Sequence, residues 1–364
     1  MILILTQCFP SRFGGVESLI SNLALGLSET EKITVFADKY NKYDDRIFDN
    51  RCKDKISVKR IGGFKFYRRY KKVNEIKKFV RLNQIKLVIA DSWKSLEIGI
   101  KFLNSKKIPT VCLAHGNELL FSNFLKENRI KNTLNKVSKI VANSNFTKNL
   151  VKNIVDSEIP INVVMPGAAD IRGLKEKIIP NIFGNPIVFT LARLEKRKGH
   201  FFIINAIKKI IKDFPDLQYI IAGDGPEKKS LKNLVLKNNL EKHVIFIGNV
   251  NENEKKYLFL KSDLMIMPTL DERKNSSIEG FGIAYLEAAC FSIPSVASNV
   301  GGTPEAVLNN QTGIIINNIS ELYKEVNNLL GNRVYLKELG DNAKKRAVNE
   351  FNWSKVSKKY LISK

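Results

Sequence analysis

The sequence predicts an α/β protein made of two doubly wound parallel sheets in tandem. Three observations carry this reading. Short apolar, β-branched runs alternate with helix-length amphipathic segments along the whole chain. The pattern restarts after Met165-Pro-Gly-Ala-Ala-Asp170. The length, 364 residues, is too great for one ordinary domain and suits two.

In the first half the strands fall at Ile2–Thr6, Ile33–Ala37, Ser57–Ile61, Leu87–Ala90, Thr110–Ala114, Lys139–Ala142 and Asn162–Met165, with helical patterns such as Val16–Leu27 and Val73–Leu82 between them. In the second half they fall at Pro186–Leu191, Gln218–Ala222, Val244–Ile247, Leu264–Met267, Pro294–Ala297 and Gly313–Ile316. Strands that are apolar throughout belong to parallel sheets covered by helices on both faces. The chain therefore reads as one Rossmann-like domain over 1–168 and a second over 169–348, with a linker near Ala168–Asn185.

Composition narrows the class. A hydrophobic fraction of 44% suits packed cores and argues against disorder, and no segment repeats with a solenoid period. Cys8, Cys52, Cys112 and Cys290 lie far apart, in no metal-ligand spacing, and read as reduced thiols of a cytoplasmic protein. Met1-Ile-Leu-Ile-Leu reads as a buried strand and lacks the basic leader of a signal peptide; no apolar run is long enough to span a bilayer.

The net charge of +24 calls for a partner or a reason. It is densest over Lys53–Arg81, where 12 basic residues face two acidic ones, and Phe64–Lys72 interleaves aromatic with basic side chains. Such a segment suits an anionic membrane surface, each basic residue near the headgroups adding about 1 kcal/mol. It would also suit RNA, or reflect nothing more than a Lys-rich surface. The expectation taken here is peripheral contact with the inner face of the cytoplasmic membrane, and no nucleic acid.

Ligands of open α/β sheets bind outside the carboxyl ends of strands, so the residues there are the candidates. After the first strand, Gly14-Gly15-Val16-Glu17 opens a helix, either as a phosphate-approaching turn or as a tight turn alone. After Pro186–Leu191 comes Arg193 with Lys198-Gly199, cations suited to a diphosphate or to a solvated loop. Gly223-Asp224-Gly225-Pro226 is a turn before a helix. The sharpest segment is Glu279-Gly280-Phe281-Gly282 followed by Glu287: glycines free backbone N–H groups at a helix start, and two carboxylates could each grip vicinal hydroxyls. Gly301-Gly302-Thr303-Pro304-Glu305 follows the strand Pro294–Ala297.

Taken together, Gly14-Gly15-Val16-Glu17, His115-Gly116, Arg193 with Lys198-Gly199, Gly223-Asp-Gly-Pro226, Glu279 with Glu287, and Gly301-Gly302-Thr-Pro-Glu305 resemble the retaining glycosyltransferases of group 1, which include phosphatidylinositol mannosyltransferases and lipopolysaccharide and capsule enzymes. The resemblance runs in the family's order across nearly the whole chain. It implies a GT-B fold with an interdomain cleft, the donor in the second domain, and a C-terminal helix over 349–364 that crosses back to the first domain. It also implies a set of roles: Arg193, Lys198 and backbone N–H groups at Phe281-Gly282 for the diphosphate, Glu287 for the ribose, Glu279 and His115 for the sugar, Gly14 and Gly15 for the donor, and Gly248-Asn249-Val250 for the base. The expected reaction moves a mannose- or glucose-type hexose from a UDP- or GDP-sugar to a glycan or lipid-linked acceptor in cell-surface polysaccharide synthesis. The departing phosphate takes the acceptor's proton, which removes the need for a protein nucleophile. No D-x-D sequence is present, and neither a metal nor a cofactor is expected beyond the sugar nucleotide. Where the family often has Asn-Gly-Val-Asp, this chain has Gly167-Ala168-Ala169-Asp170, so the linker differs in shape. The competing classes are a basic nucleic-acid binder, a non-catalytic relative, and a dehydrogenase, which would need a G-x-G-x-x-G turn that neither half has.

Overall fold

A computed structural model describes residues 1–121, 123–156 and 158–362. Ser122, Ser157, Ser363 and Lys364 lie outside the described residues, the last two at the end of the expected C-terminal helix. The chain forms two compact units: Met1–Gly167 with Trp353–Lys364, and Ala168–Asn352.

The first unit holds β1 (Ile2–Leu5), β2 (Ile33–Asp38), β3 (Ile56–Ile61), β4 (Leu87–Ala90), β5 (Thr110–Ala114), β6 (Lys139–Ala142) and β7 (Ile161–Val163), all parallel in the order β3-β2-β1-β4-β5-β6-β7. The second holds β8 (Ile187–Leu191), β9 (Gln218–Ala222), β10 (Val244–Gly248), β11 (Leu264–Met267), β12 (Ser295–Ser298) and β13 (Gly313–Ile316), in the order β10-β9-β8-β11-β12-β13. Each sheet has its own core. Leu3, Val88 and Ile140 are fully buried in the first, and Val188, Tyr219 and Ile207 in the second. The continuous apolar runs thus lie where helices cover both faces.

In both sheets the earliest strand sits inside. The chain winds outward on one side (β2, β3; β9, β10), then returns to build the other. The β1/β4 and β8/β11 gaps are therefore topological switch points, where the loops leaving the strand ends diverge and make room for a ligand.

Two local expectations are corrected. The helix predicted to start at Val73 starts at Lys65 and runs to Leu82; the interleaved aromatic and basic residues hid its period. The C-terminal segment is not one helix. The helix Arg333–Glu350 stops because the carbonyl of Phe351 accepts from the Ala168 N–H at 2.9 Å and Asn352 bridges to Ala168. Beyond that break, short turns at Trp353–Val356 and Ser357–Tyr360 pack on the helix Gly15–Leu27, so closely that a Cβ at Gly26 would lie 2.9 Å from that of Ser357.

Candidate active site

The second unit's switch point is built from the loops after β8 and β11, and glycines set how those loops pack. A Cβ on Gly223 would lie 1.9 Å from the carbonyl oxygen of Ala192, and one on Gly225 2.5 Å from that of Leu194. Leu194 N–H donates to Asp224 O at 3.1 Å, and Glu227 N–H to Leu194 O at 3.0 Å. The Gly-Asp-Gly-Pro turn is thus a brace under the loop carrying Arg193. Gly199, at φ +75°, lies against Pro268, where a Cβ would meet its carbonyl oxygen at 2.4 Å. Gly301, at φ +62°, lies against Glu279 in the same way, at 2.0 Å, while Gly302 N–H donates to Glu279 O at 3.0 Å. Side chains longer than hydrogen are excluded at each contact. Three glycine motifs therefore fix the backbone of Arg193, Lys198 and Glu279.

The side chains on these loops form one alternating chain of charge. Arg193 Nη1 meets Glu195 Oε1 at 3.0 Å, and Glu195 Oε2 lies 3.2 Å from Arg197 Nε. Arg197 Nη1 donates to Glu279 Oε2 at 2.8 Å, and Lys198 Nζ donates to the same oxygen. Arg193 is exposed, whereas Lys198 is buried and the Arg197 and Glu279 side chains nearly so. Burial pushes the Glu279 carboxyl up, but Lys198 and Arg197 override it and hold it below the usual carboxylate range. Burial lowers the Lys198 ammonium against the opposing pull of Glu279. Glu279 is thus an anion at neutral pH.

Beneath the loop, His200 is buried. Its Nδ1 lies 3.1 Å from the Tyr219 hydroxyl, which is 2.8 Å from Thr190 Oγ1. Burial, with Lys198 nearby, brings the His200 pKa down to about 4, so the ring is neutral.

Glu287 sits on the seven-residue helix Ile283–Ala289 and is buried; its Oε1 accepts from Lys255 Nζ at 2.7 Å. Lys255 comes from the helix Glu252–Lys261, whose start is locked by a reciprocal Asn251/Glu254 cap. Gly282 (φ +98°) precedes the helix Ile283–Ala289 and leaves the Tyr285 ring its place, 2.5 Å from where a Cβ would be. The Phe281 side chain is core, packed on Phe351 with ring centroids 6.2 Å apart, so only its backbone could face a ligand. Gly248, at the end of β10, has φ +71° and open space where a Cβ would stand.

In the first unit, His115 follows β5. Its Nε2 lies 2.8 Å from the carbonyl oxygen of Asp91, and its backbone N–H donates to Glu118 Oε1 at 2.7 Å. A carbonyl only accepts, so Nε2 is the nitrogen that donates to it. The Asp91 carboxylate takes the Thr6 hydroxyl, the Gln7 N–H and the Ser95 hydroxyl, which fixes that carbonyl. Gly14 is extended, and its missing Cβ makes room for Glu17, whose carboxylate would be 2.2 Å away; Gly15 has nothing within 4 Å. Glu17, buried, pairs with Arg12 at 3.0 Å.

The structure thus brings Arg193, Lys198 and Glu279 into one network and engages Glu287 separately with Lys255. Glu195, Arg197 and Lys255 were missed by the sequence reading; the first two lie inside the basic loop it singled out, but nothing in the spacing announces that Arg197 pairs with Glu279, 82 positions on.

Two family models match the chain: Glycosyltransferase Family 4 over residues 13–169, and Glycosyl transferases group 1 over residues 175–346. The chain belongs to the group 1 glycosyltransferases. As a member it is a retaining, nucleotide-sugar-dependent enzyme of GT-B fold. Among its relatives, a GDP-mannose-dependent alpha-(1-6)-phosphatidylinositol monomannoside mannosyltransferase of Mycolicibacterium smegmatis is 23% identical over 97% of this chain and 95% of that enzyme. Glycogen synthase of Mycobacterium tuberculosis is 29% identical over 46% of this chain and 39% of its own. Among solved structures, Anabaena HepE with UDP and glucose superimposes with a TM-score of 0.80 at 19% identity, covering 99% of this chain and 98% of that one.

Proposed function

We propose that this group 1 glycosyltransferase moves a mannose- or glucose-type hexose from a UDP- or GDP-sugar to a membrane-associated glycan or lipid-linked acceptor. The observation that carries the donor half is the Arg193–Glu195–Arg197–Glu279–Lys198 chain on the loops leaving β8 and β11. Arg193 and Lys198 take the diphosphate with the N–H groups of Phe281 and Gly282, Glu279 and His115 take the sugar, Glu287 the ribose, and the Gly248 backbone the base. Gly14 and Gly15 complete the donor contacts. A GDP-mannose-dependent relative and the UDP-glucose complex of HepE support this donor class.

Breaking the anomeric bond leaves negative charge on the diphosphate and positive character on the sugar ring. Cations already in place at the diphosphate therefore favour the transition state. The departing phosphate oxygen takes the acceptor's proton on the same face, which keeps the anomeric configuration.

The acceptor half rests on the first unit. Phe64, Phe66, Tyr67 and Tyr70, at the start of the helix Lys65–Leu82, are exposed, as are Phe121, Phe124 and Leu125 after β5. Rings of this kind settle at a membrane interface, and Lys53, Lys55, Lys65 and Lys71 stay exposed beside them in sequence. Among the described residues no helix is long and apolar enough to cross a membrane.

The test is a panel of UDP- and GDP-hexoses, followed by thermal shift and by sugar release. One donor is expected to raise the melting temperature and turn over, and the Arg193→Ala/Lys198→Ala double variant to lose at least a hundredfold in kcat/KM. Normal turnover by that variant would sink the diphosphate assignment.

A further inference from the structure

We propose that Arg197 is a positioning residue of the donor site: it holds Glu195 and Glu279 in place once a diphosphate has claimed Arg193 and Lys198. This rests on the donor reading above and goes beyond it, since that reading gives Arg197 no task.

The geometry sets the three cations apart. Arg193 stands at one end of the charge chain, exposed, with Glu195 as its partner at 3.0 Å. Lys198 stands at the other end; besides Glu279 its ammonium has, among the described residues, the thioether sulfur of Met267 as its one hydrogen-bond partner, at 3.6 Å. Arg197 is the middle. It donates to Glu279 Oε2 from Nη1 at 2.8 Å and ion-pairs with Glu195 Oε2 through Nε at 3.2 Å, a contact not aligned as a hydrogen bond, and its side chain is 12% exposed. A planar guanidinium can hold two carboxylates at once in a fixed fork; an ammonium is a point charge on a flexible stem.

A diphosphate carries two negative charges. Taking Arg193 and Lys198 removes one counter-charge from each carboxylate. Glu195 and Glu279 would then face the diphosphate, and each other, as bare anions unless Arg197 stays between them. With Arg197 in place, Glu279 keeps a hydrogen-bonded partner and remains an oriented acceptor for the sugar's hydroxyls. Lys198 and Arg197 together hold the Glu279 carboxyl below its ordinary range against burial. Losing both, one to the ligand and one to mutation, leaves burial alone, which favours the protonated acid.

That gives a signature that a phosphate ligand or a packing residue would not show. A nucleotide sugar has no phosphate oxygen titrating near neutral pH, so proton uptake on binding comes from the protein. The experiment measures binding of UDP-glucose and GDP-mannose by calorimetry between pH 5.5 and 8.5, in buffers of different ionisation enthalpy, for the wild type, Arg197→Gln, Arg197→Lys and Lys198→Gln. For Arg197→Gln the expected result is a ten- to hundredfold loss of affinity at pH 8, shrinking as the pH falls, with uptake of up to one proton that the wild type lacks. Arg197→Lys restores part of the affinity and removes most of the uptake. Steady-state kinetics should show kcat falling more than KM rises, because Glu279 is misplaced at the sugar.

A loss equal at every pH with no proton uptake would make Arg197 a direct phosphate ligand and overturn the inference. So would wild-type affinity in Arg197→Gln. The donor reading is tested separately by Lys198→Gln. If that variant binds as the wild type does, or if the wild type binds neither probe, the donor reading falls and the inference with it. If Lys198→Gln weakens binding while Arg197→Gln changes nothing, only the inference falls.

Discussion

At the scale of single residues, the second unit's site depends on groups that are buried and must stay in one charge state. His200 is the clearest case. Its folded pKa of about 4 lies below its ordinary 6.5, because burial and the nearby Lys198 disfavour the imidazolium. Between those values the unfolded chain binds a proton that the folded one refuses, so stability rises with pH across the window. The contribution is fully present above about pH 6.5 and is lost as the pH falls toward 4, on the order of 3 kcal/mol in all. Urea unfolding at pH 7.5 and 5 should show a steeper loss in the wild type than in His200→Gln; equal slopes would remove His200 as the source. Gly301 offers a second test. Gly301→Ala sets a methyl group 2.0 Å from the carbonyl oxygen of Glu279, at a φ that L-residues avoid, so the Glu279 loop has to move. Donor turnover should fall more than tenfold. Gly15→Ala meets no protein atom within 4 Å and should keep the melting temperature within the spread of ordinary surface changes, so a loss of donor turnover in that variant would report on the proposed donor contact itself.

At the scale of elements, the helix Lys65–Leu82 changes what the charge count implied. Arg68 pairs with Asp38 at 2.8 Å and Arg69 with Glu97, while Lys72 is buried, donating to Asp38 and to the Thr6 carbonyl. The helix turns these basic residues inward and leaves Phe64, Phe66, Tyr67 and Tyr70 outward, with Phe66 and Tyr70 ring centroids 4.9 Å apart. A run read as a basic patch is, once wound at 3.6 residues per turn, a mostly aromatic surface with Lys65 and Lys71 beside it. Sequence order alone could not separate the two faces, because the helix start was not recognisable. Binding to liposomes containing anionic lipid should therefore be only partly released by salt, since ring insertion is not screened. Phe66→Ser/Tyr67→Ser should lower retention at 0.5 M salt at least tenfold, and Lys65→Glu/Lys71→Glu chiefly at low salt. Full release of the wild type by salt would refute the aromatic contribution.

At the scale of the whole molecule, the two sheets were legible because most strands are apolar runs of the right length, the edge strands β3 and β7 being the exceptions, and the restart after Asp170 marked the second. Arg193, Lys198, Glu279 and Glu287 stood out as candidates because ligands of parallel sheets gather at strand ends. The pairings of Arg197 with Glu279 and of Lys255 with Glu287 were not legible, since they join residues 82 and 32 positions apart through the fold. The same distance effect governs the chain's last dozen residues. The stretch from Trp353 belongs to the compact unit that begins at Met1, although nearly two hundred residues of the second unit intervene. Val356, Ser357 and Tyr360 are buried there, and Gly26 leaves room for Ser357 by having no Cβ. Ending the chain at Asn352 would expose the face of the helix Gly15–Leu27 that these residues cover. Losing two fully buried apolar side chains, Val356 and Tyr360, should cost about 4 kcal/mol. That loss should fall on the first unit alone. Hydrogen exchange should speed up in β1, β2 and the helix Gly15–Leu27, while amides of β8, β9 and β11 keep their protection. Val356→Ala/Tyr360→Ala in the full-length chain should reproduce the pattern more weakly. Uniform loss of protection in both units would mean that the segment supports the whole chain rather than the sheet it packs on.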